Sequence, residues 1–250
     1  MNTQPVYEHV LVTGASGRIG SAVCLELVKR GHRVRGFDLA EPAVPIDGLS
    51  ELQIGNLTDV EAVNRAVKGV DALIHLAAEP AEADFLTKLL GPNVIGVYHI
   101  LEAARREQLK RVVVTSSCQV VQAHNWQQRT VKLDEPFNPI GHYGVTKAMA
   151  EAWARYYAEQ HRMSVIVVRP GFVPREGAHW KKMEEDPLLR RLYWSQRDAG
   201  RLFALCVEVP NIQFAVIYGA SRSSPHAFDL EPARKLLGYE PLDTWTGEER

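Results

Sequence analysis

Residues 9–20 read His-Val-Leu-Val-Thr-Gly-Ala-Ser-Gly-Arg-Ile-Gly, an apolar run that leads into a glycine-rich turn. In residues 18–30, which follow, apolar side chains recur at helical spacing until Gly31 ends the pattern. A strand, a glycine turn and a helix in this order predict the first βαβ unit of a parallel sheet. The helix would point its N-terminus at the turn, where its free backbone N–H groups suit a phosphate.

The rest of the chain repeats this alternation of short apolar runs and helical stretches. Predicted strands lie near residues 33–38, 52–54, 71–76, 111–115, 164–169 and 212–218, and predicted helices near 59–68, 82–107, 143–160 and 231–237. Pro92 should disturb the second of these helices. The pattern predicts an α/β fold with a doubly wound parallel sheet of Rossmann type. After residue 171 the chain is richer in charge and aromatics. We therefore expect a dinucleotide-binding core over residues 1–171 and a small C-terminal, substrate-facing portion over 172–250, packed on the same domain.

Composition narrows the class of protein. With 29 basic and 30 acidic side chains among 250 residues, the chain has no charge excess to attract nucleic acid or an anionic membrane. The three cysteines are an odd number without metal-ligand spacing, which predicts no metal site and favours a reducing compartment. No apolar run reaches the ~20 residues of a membrane-spanning helix, and no signal peptide is recognised at the N-terminus. We expect a cytoplasmic protein with a small-molecule partner.

The glycines of the first turn, Gly14, Gly17 and Gly20, have the spacing G-x-x-G-x-x-G. Glycine permits a tight turn and a close approach of backbone to a ligand, so the turn is a candidate site for the pyrophosphate of a dinucleotide. Ser16, Arg18 and Ile19 stand between these glycines and belong to the same candidate site. The alternative is a glycine-rich connection that only joins strand to helix.

Asp38 ends the second predicted strand, where the sheet would reach the adenosine ribose of a dinucleotide. A carboxylate there can accept hydrogen bonds from both ribose hydroxyls and would repel a 2′-phosphate, so it favours NAD over NADP. Arg18 and Arg35 leave NADP open, because either could pair with a phosphate. A plain turn aspartate is the other alternative.

Two further segments are candidates for the walls of the cofactor site. Asn56, followed by Leu57, could hydrogen-bond the adenine edge, although a helix cap at Thr58 or Asp59 would explain the same polarity. The small-residue segment Leu76, Ala77 and Ala78 ends the fourth strand and could form a backbone wall beside the cofactor. Close packing is the alternative for that segment.

Tyr143 and Lys147 are four residues apart on a predicted helix, which places both side chains on one face. A free phenol has a pKa of about 10, and a neighbouring ammonium would lower that pKa toward the range of a general base. Ser117, after the fifth strand, supplies a hydroxyl that could orient a substrate oxygen. Ser116 and Thr115 are rival candidates for this role, because runs of hydroxyl residues are common at strand ends. A surface pair on an amphipathic helix is the alternative for Tyr143 and Lys147.

The chain as a whole resembles the short-chain dehydrogenases/reductases of the extended, NAD-dependent epimerase/dehydratase type, and within them the uronate dehydrogenases. The resemblance rests on Val-Thr-Gly-Ala-Ser-Gly-Arg-Ile-Gly from residue 12, His75-Leu-Ala-Ala, Asn93-Val-Ile-Gly-Val-Tyr, Ser116-Ser117, Tyr143-Gly-Val-Thr-Lys147 and Tyr218-Gly-Ala-Ser. It covers nearly the whole chain.

The resemblance implies an NAD-dependent oxidoreductase that transfers hydride from a sugar or sugar-acid hydroxyl to nicotinamide. It implies catalytic roles for Ser117, Tyr143 and Lys147, and a role for Asn93 in holding the lysine or a relay water. Lys181 matches the arginine with which uronate dehydrogenases grip the sugar carboxylate. The remaining substrate-binding positions depart from the pattern of that family, namely Glu79, Cys118, Gln119 and Phe172.

Other functions and the oligomeric state follow from the same resemblance. An epimerase or dehydratase acting on a nucleotide-linked sugar is one alternative. A non-catalytic regulator that senses NAD(P) is another, although it would have no need of Ser117, Tyr143 and Lys147. The resemblance implies that the predicted helices around residues 93–107 and 143–160 pair in a homodimer. Packing on the sheet is the alternative explanation for the apolar faces of these helices.

Overall fold

The computed structural model of the chain describes residues 7–124, 129–174, 178–223 and 225–246. Its strands are β1 (His9–Thr13), β2 (Arg33–Asp38), β3 (Glu51–Ile54), β4 (Ala72–His75), β5 (Arg111–Thr115), β6 (Val165–Pro170) and β7 (Phe214–Gly219). They form one parallel sheet in the order β3-β2-β1-β4-β5-β6-β7. Strand order reverses between β1 and β4, which is where open sheets of this kind bind ligands. The prediction of a doubly wound Rossmann-type fold is confirmed.

Helices cover both faces of the sheet. They are α1 (Arg18–Lys29), α2 (Val60–Val67), a π-helix (Phe85–Ile95), α3 (Gly96–Arg106), α4 (His142–His161), α5 (Ala178–Glu185), α6 (Pro187–Arg191), α7 (Gln196–Glu208) and α8 (Glu231–Leu237), with a 3-10 turn at Cys118–Val121. Side chains alternate along each strand, so Val10 and Val12 pack under α1, α7 and α8 while Leu11 packs under α2, α3 and α4. Both cores are closed to water.

The π-helix replaces the first half of the helix predicted near residues 82–107. Its turns are wide, and the N–H of Gly96 donates to the carbonyl of Gly91, five residues earlier. Pro92 has no N–H to offer and its ring would collide with the carbonyl four residues back in a regular α-helix, so a wider turn accommodates it. The predicted disturbance at Pro92 therefore takes the form of a π-helix, and a regular helix resumes at α3.

Residues after 171 contribute to the sheet domain itself. Helix α7, which the sequence analysis did not anticipate, is the crossover from β6 to β7 and packs on α1. Leu202 and Phe203 of this helix are buried in the same core as Val10 and Val12. Helices α5 and α6 precede α7 in the segment that leaves the carboxyl end of β6.

The three cysteines, Cys24, Cys118 and Cys206, are buried and free. Burial raises the pKa of the Cys24 and Cys118 thiols to about 12. Each therefore behaves as a small apolar side chain. Within the described part of the chain, every helix is too short or too polar to cross a membrane.

Candidate active site

The glycine loop, Thr13–Gly20, closes against the carboxyl ends of β2 and β4. Gly14 has φ +73° and donates its N–H to the carbonyl of Phe37 over 2.8 Å. A Cβ at Gly14 would lie 2.7 Å from the backbone N of Ala77, and one at Gly20 only 1.9 Å from the carbonyl O of Gly14. Only glycine fits at these two positions. The loop and the predicted wall at Leu76, Ala77 and Ala78 thus lie together, as a dinucleotide site requires.

His75 joins β1 to β4 beneath this loop. Its Nδ1 lies 2.8 Å from Oγ1 of Thr13, which also accepts the N–H of Ala77 at 3.4 Å. Burial, aided by the charge of Lys147, lowers the pKa of His75 to about 3, so the imidazole is neutral at physiological pH. This histidine holds two strand ends in register.

Asp38 faces the glycine loop from the end of β2. Its Oδ2 accepts the N–H of Ser16 at 2.8 Å and its Oδ1 that of Leu39 at 2.7 Å. The hydroxyl of Ser16 donates to the carbonyl of Ala40 at 2.7 Å. The carboxylate is therefore fixed beside the loop, where an adenosine ribose would lie. The glycine loop, with the Asp38 carboxylate beside it, suits a dinucleotide without a 2′-phosphate, because that carboxylate would repel the phosphate.

Arg18 and Ile19 were predicted to belong to the phosphate site, and in the structure both side chains contact other parts of the protein. The Arg18 guanidinium donates to the carbonyl of Val173, in the segment that leaves β6. Ile19 is partly buried and packs on the core beneath α1. Arg18 thus links the glycine loop to the segment that follows β6.

The predicted adenine segment is built as a turn that starts α2. Oδ1 of Asn56 accepts the N–H of Thr58 at 3.0 Å, and the Asp59 carboxylate caps the helix by accepting the N–H groups of Glu61 and Ala62. Leu57 is buried, and its carbonyl accepts Nδ1–H of His99 at 2.8 Å. Capping by Asp59, one of the two alternatives, is therefore present.

Tyr143, Lys147 and Ser117 are brought together at the carboxyl end of β5. Tyr143 and Lys147 lie one turn apart near the start of α4, and both are buried together with Ser117. Nζ of Lys147 is 5.7 Å from the centroid of the Tyr143 ring and donates to the carbonyl of Thr115 over 3.1 Å. The Ser117 hydroxyl accepts the N–H of Gln119 at 3.1 Å.

Burial dominates the protonation of this set. It raises the pKa of the Tyr143 phenol above its ordinary value, against the hydrogen bond from Ser117, which lowers that pKa. It also lowers the pKa of the Lys147 ammonium to about 8. Both shifts favour the neutral forms, because charge is costly to bury.

Asn93, in the π-helix, fastens the segment after β4 to α4. Its Nδ2 donates to the carbonyl of Glu79 at 3.1 Å and to Oγ1 of Thr146 at 3.2 Å, while its Oδ1 accepts the N–H of Glu79 at 2.8 Å. Thr146 in turn donates to the carbonyl of Tyr143. These bonds satisfy the buried amide, and they place Asn93 against the residue before Lys147 rather than on its ammonium.

The substrate-binding residues expected from the resemblance lie in four places. Glu79 follows the cofactor wall and is held by Asn93, and Cys118 and Gln119 follow Ser117 directly. Phe172 follows β6, where its backbone pairs with Leu192 and Trp194. Lys181 lies on α5 with a side chain that is 77% exposed, and its Nζ is 3.9 Å from the Glu185 carboxylate. The structure thus puts Lys181 in a solvent-exposed ion pair.

Two sets of residues near the site were not anticipated from the sequence. Glu151, one further helical turn beyond Lys147, forms a buried ion pair with Arg169 of β6 and accepts the Ser116 hydroxyl at 2.5 Å. Residues 143, 147 and 151 are spaced four apart on one helix, and this spacing could have placed Glu151 on the same face as Tyr143 and Lys147. Glu82 accepts the backbone N–H groups of His142 and Tyr143 at 3.0 and 2.9 Å. Nothing in the sequence pattern links those distant segments. Among the described residues, no cluster of three potential metal-ligating side chains is present.

The model of the NAD dependent epimerase/dehydratase family matches residues 10–185. The chain belongs to this family. The predictions of an enzyme and of NAD as its cofactor are confirmed with it.

Relatives and solved structures narrow the comparison. Uronate dehydrogenase from Pseudomonas syringae pv. tomato is 32% identical over 242 residues, which cover 97% of this chain and 84% of that protein. The NAD-dependent glucose-6-phosphate dehydrogenase of Haloferax volcanii is 31% identical over 255 residues, covering 94% and 93%. The crystal structure of uronate dehydrogenase from Agrobacterium tumefaciens has a TM-score of 0.80 at 28% identity, covering 95% and 85% of the two chains. The resemblance to uronate dehydrogenases is therefore confirmed.

Proposed function

We propose that the protein is an NAD-dependent dehydrogenase of a sugar or sugar acid, with Ser117, Tyr143 and Lys147 as its catalytic residues. The observation that supports this most directly is the burial of these three side chains together at the carboxyl end of β5, where Lys147 donates to the Thr115 carbonyl. A surface Tyr–Lys pair, the alternative for this motif, would be exposed.

The roles follow from the positions of the three groups. Tyr143 accepts the proton of the substrate hydroxyl, and Ser117 donates a hydrogen bond to the oxygen that becomes the carbonyl. The chemistry that bound NAD would supply is acceptance of the hydride from the carbon that bears this hydroxyl. Lys147 is held by the Thr115 carbonyl, and its positive charge favours the phenolate form of Tyr143 during turnover.

The substrate class is supported by the relatives and by the contacts of Lys181. Relatives of this chain include uronate, glucose-6-phosphate and L-arabinose dehydrogenases, all named for sugars. Lys181, the residue expected to neutralise a sugar carboxylate, lies in an exposed ion pair with Glu185. An exposed lysine in a surface pair contributes little binding energy. We therefore expect neutral aldoses to be oxidised at least as fast as uronates.

Reduction of NAD and of NADP should be followed with glucuronate, galacturonate, glucose 6-phosphate, neutral aldoses and polyols. Oxidation of one or more sugars with NAD preferred over NADP would support the proposal. Faster turnover of uronates than of any neutral sugar would contradict the expected preference. If NAD bound without reduction by any of these compounds, the protein would instead be a nucleotide-sugar enzyme or a regulator.

Tyr143→Phe tests the catalytic role of the phenol. Replacing Tyr143 with phenylalanine removes the proton acceptor while keeping the ring, so turnover should fall by about 10³-fold or more with NAD binding retained. Tyr156→Phe is the matched control, because Tyr156 lies on the same helix with 46% of its surface exposed. Steady-state kinetics and NADH fluorescence titration measure both effects. Wild-type turnover in Tyr143→Phe would refute the catalytic assignment.

A further inference from the structure

The helix that carries Tyr143 begins without a capping side chain of its own. Its first residue, His142, follows Gly141, which has an extended backbone and no side chain to accept the free N–H groups. These groups need acceptors, because the first turn of a helix leaves them unpaired. The acceptor comes from another part of the chain.

Glu82 supplies both hydrogen bonds from the segment that follows β4. One carboxylate oxygen, Oε1, accepts the N–H of His142 at 3.0 Å, and the other, Oε2, accepts the N–H of Tyr143 at 2.9 Å. The negative carboxylate also faces the positive end of the α4 dipole, which strengthens such bonds. A side chain some sixty residues away is thereby bonded to the backbone of the catalytic tyrosine itself.

Gly141 leaves the space that this carboxylate occupies. A Cβ at Gly141 would lie 2.2 Å from Oε2 of Glu82 and 2.7 Å from its Cδ. The backbone of Gly141 has φ −119°, a value that alanine adopts without strain. Space for the Glu82 carboxylate, rather than backbone freedom, is therefore what the glycine provides.

The segment that carries Glu82 is itself anchored near the site. Its first residue, Glu79, is bonded through backbone N–H and C=O to the buried amide of Asn93. The segment begins directly after the wall of the cofactor site at Ala77 and Ala78. Glu82 therefore connects that wall to the first residues of α4.

We propose that Glu82 is a positioning residue, which fixes the start of α4 and with it the Tyr143 phenol relative to the cofactor wall. This rests on the proposed function, in which Tyr143 accepts the substrate proton. An error of about 1 Å in the place of a reacting group can cost 10²-fold in rate. Loss of the Glu82 contact should therefore lower kcat, with little effect on the affinity for NAD.

Two substitutions in separate segments test the contact independently. Glu82→Ala removes the acceptor, and Gly141→Ala leaves Glu82 in the chain but displaces its carboxylate. Each should lower kcat by about tenfold and change the KM for NAD by less than about twofold. Since both remove the same contact, the double variant should be no slower than the slower single variant. Glu82→Gln keeps one acceptor oxygen and should restore part of the rate.

Asp84→Ala is the matched control. Asp84 lies two residues after Glu82 and caps the π-helix by accepting the N–H and hydroxyl of Thr87. Asp84→Ala removes a cap from the same segment without removing a hydrogen bond to α4, so kcat should stay within about twofold of wild type. Equal loss of rate in Asp84→Ala and Glu82→Ala would overturn the proposal, because a general loosening of the segment would then suffice.

Hydrogen exchange reports the contact without a substrate. Amides of residues 142 and 143 should exchange about tenfold faster in Glu82→Ala and Gly141→Ala than in wild type, with the end of α4 unchanged. Faster exchange with an unchanged kcat would overturn the positioning role. Tyr143→Phe separates the two proposals: if it keeps wild-type turnover, the catalytic assignment fails, whereas an inactive Tyr143→Phe beside a fully active Glu82→Ala defeats only this inference.

Discussion

Lys147 is a buried ammonium whose bond is to a neutral carbonyl. Only 4% of the residue is exposed, and its Nζ donates to the backbone of Thr115. Burial lowers its pKa to about 8 from the usual value near 10.5. Below about pH 8 the folded protein carries the full cost of this buried charge. Between about pH 8 and 10.5 the folded lysine loses its proton while the unfolded one keeps it, so stability rises with pH.

The stability that Lys147→Met gains over the wild type should therefore be greatest at low pH. The free energy of unfolding of the variant relative to wild type should be higher at pH 7 than at pH 9.5 by about 2 kcal/mol. Urea unfolding at the two pH values measures this. Lys29→Met removes an exposed lysine of α1, and its difference in unfolding free energy from the wild type should be the same at the two pH values. A margin for Lys147→Met that does not change with pH would mean that folding leaves the pKa of this ammonium unshifted, so that the buried charge carries no cost.

At the scale of secondary-structure elements, one ion pair joins α4 to β6. Glu151 and Arg169 have side chains that are each 4% exposed, with Nε and Nη2 of the arginine 2.8 and 2.9 Å from the two carboxylate oxygens. The arginine also donates to the Tyr218 hydroxyl of β7 at 3.1 Å. The ion pair is also bonded to the residue between Thr115 and Ser117, since the hydroxyl of Ser116 donates to Glu151.

Breaking the pair should be costly because it leaves one charge buried alone. Arg169→Met should lower the free energy of unfolding by about 3 kcal/mol, and adding Glu151→Gln should recover part of that loss. Lys235→Met breaks an exposed pair with Glu231 and should cost about 0.5 kcal/mol or less. Denaturant titration of the wild type, Arg169→Met, the double variant and Lys235→Met measures these differences in unfolding free energy. A double variant that is less stable than Arg169→Met would contradict this account.

At the scale of the whole molecule, one helical face is left apolar and exposed. On α4 the side chains of Val145, Met149, Trp153 and Tyr156 recur at helical spacing, and the Trp153 ring contacts Tyr98 of α3 at 5.7 Å. Tyr98 and Tyr156 are 41% and 46% exposed. Such a face is typical of a surface that a partner covers. The homodimer expected through these two helices remains a prediction.

Light scattering coupled to size exclusion tests that prediction. The wild type should elute with twice the mass of the 28.0 kDa chain, and Tyr156→Glu should shift it toward the monomer by placing a charge in the interface. Val44→Glu introduces the same charge at a 75% exposed position elsewhere and should leave the dimer intact. A wild type that is monomeric at micromolar concentration would refute the paired-helix dimer.

Sequence patterns predicted what depends on neighbours along the chain. Tyr143 and Lys147 meet because one helical turn separates them, and the glycine turn follows from strand and helix periodicity. Contacts between distant loops leave no such pattern: the bond between Glu82 and the start of α4 depends on how two segments approach in space. The exposure of Lys181 has a similar cause, since a resemblance matches a residue to a position without fixing the helix that carries it.

The burial of all three thiols makes the protein its own reporter of unfolding. Cys24, Cys118 and Cys206 are each covered, and burial holds the pKa of every one of these thiols above its ordinary value. Since alkylating reagents attack the accessible thiolate, a short pulse of iodoacetamide would mark only molecules that have opened. The native protein would stay unmodified. A single cysteine introduced on its surface would then react with a thiol-specific dye without competition from the three buried cysteines.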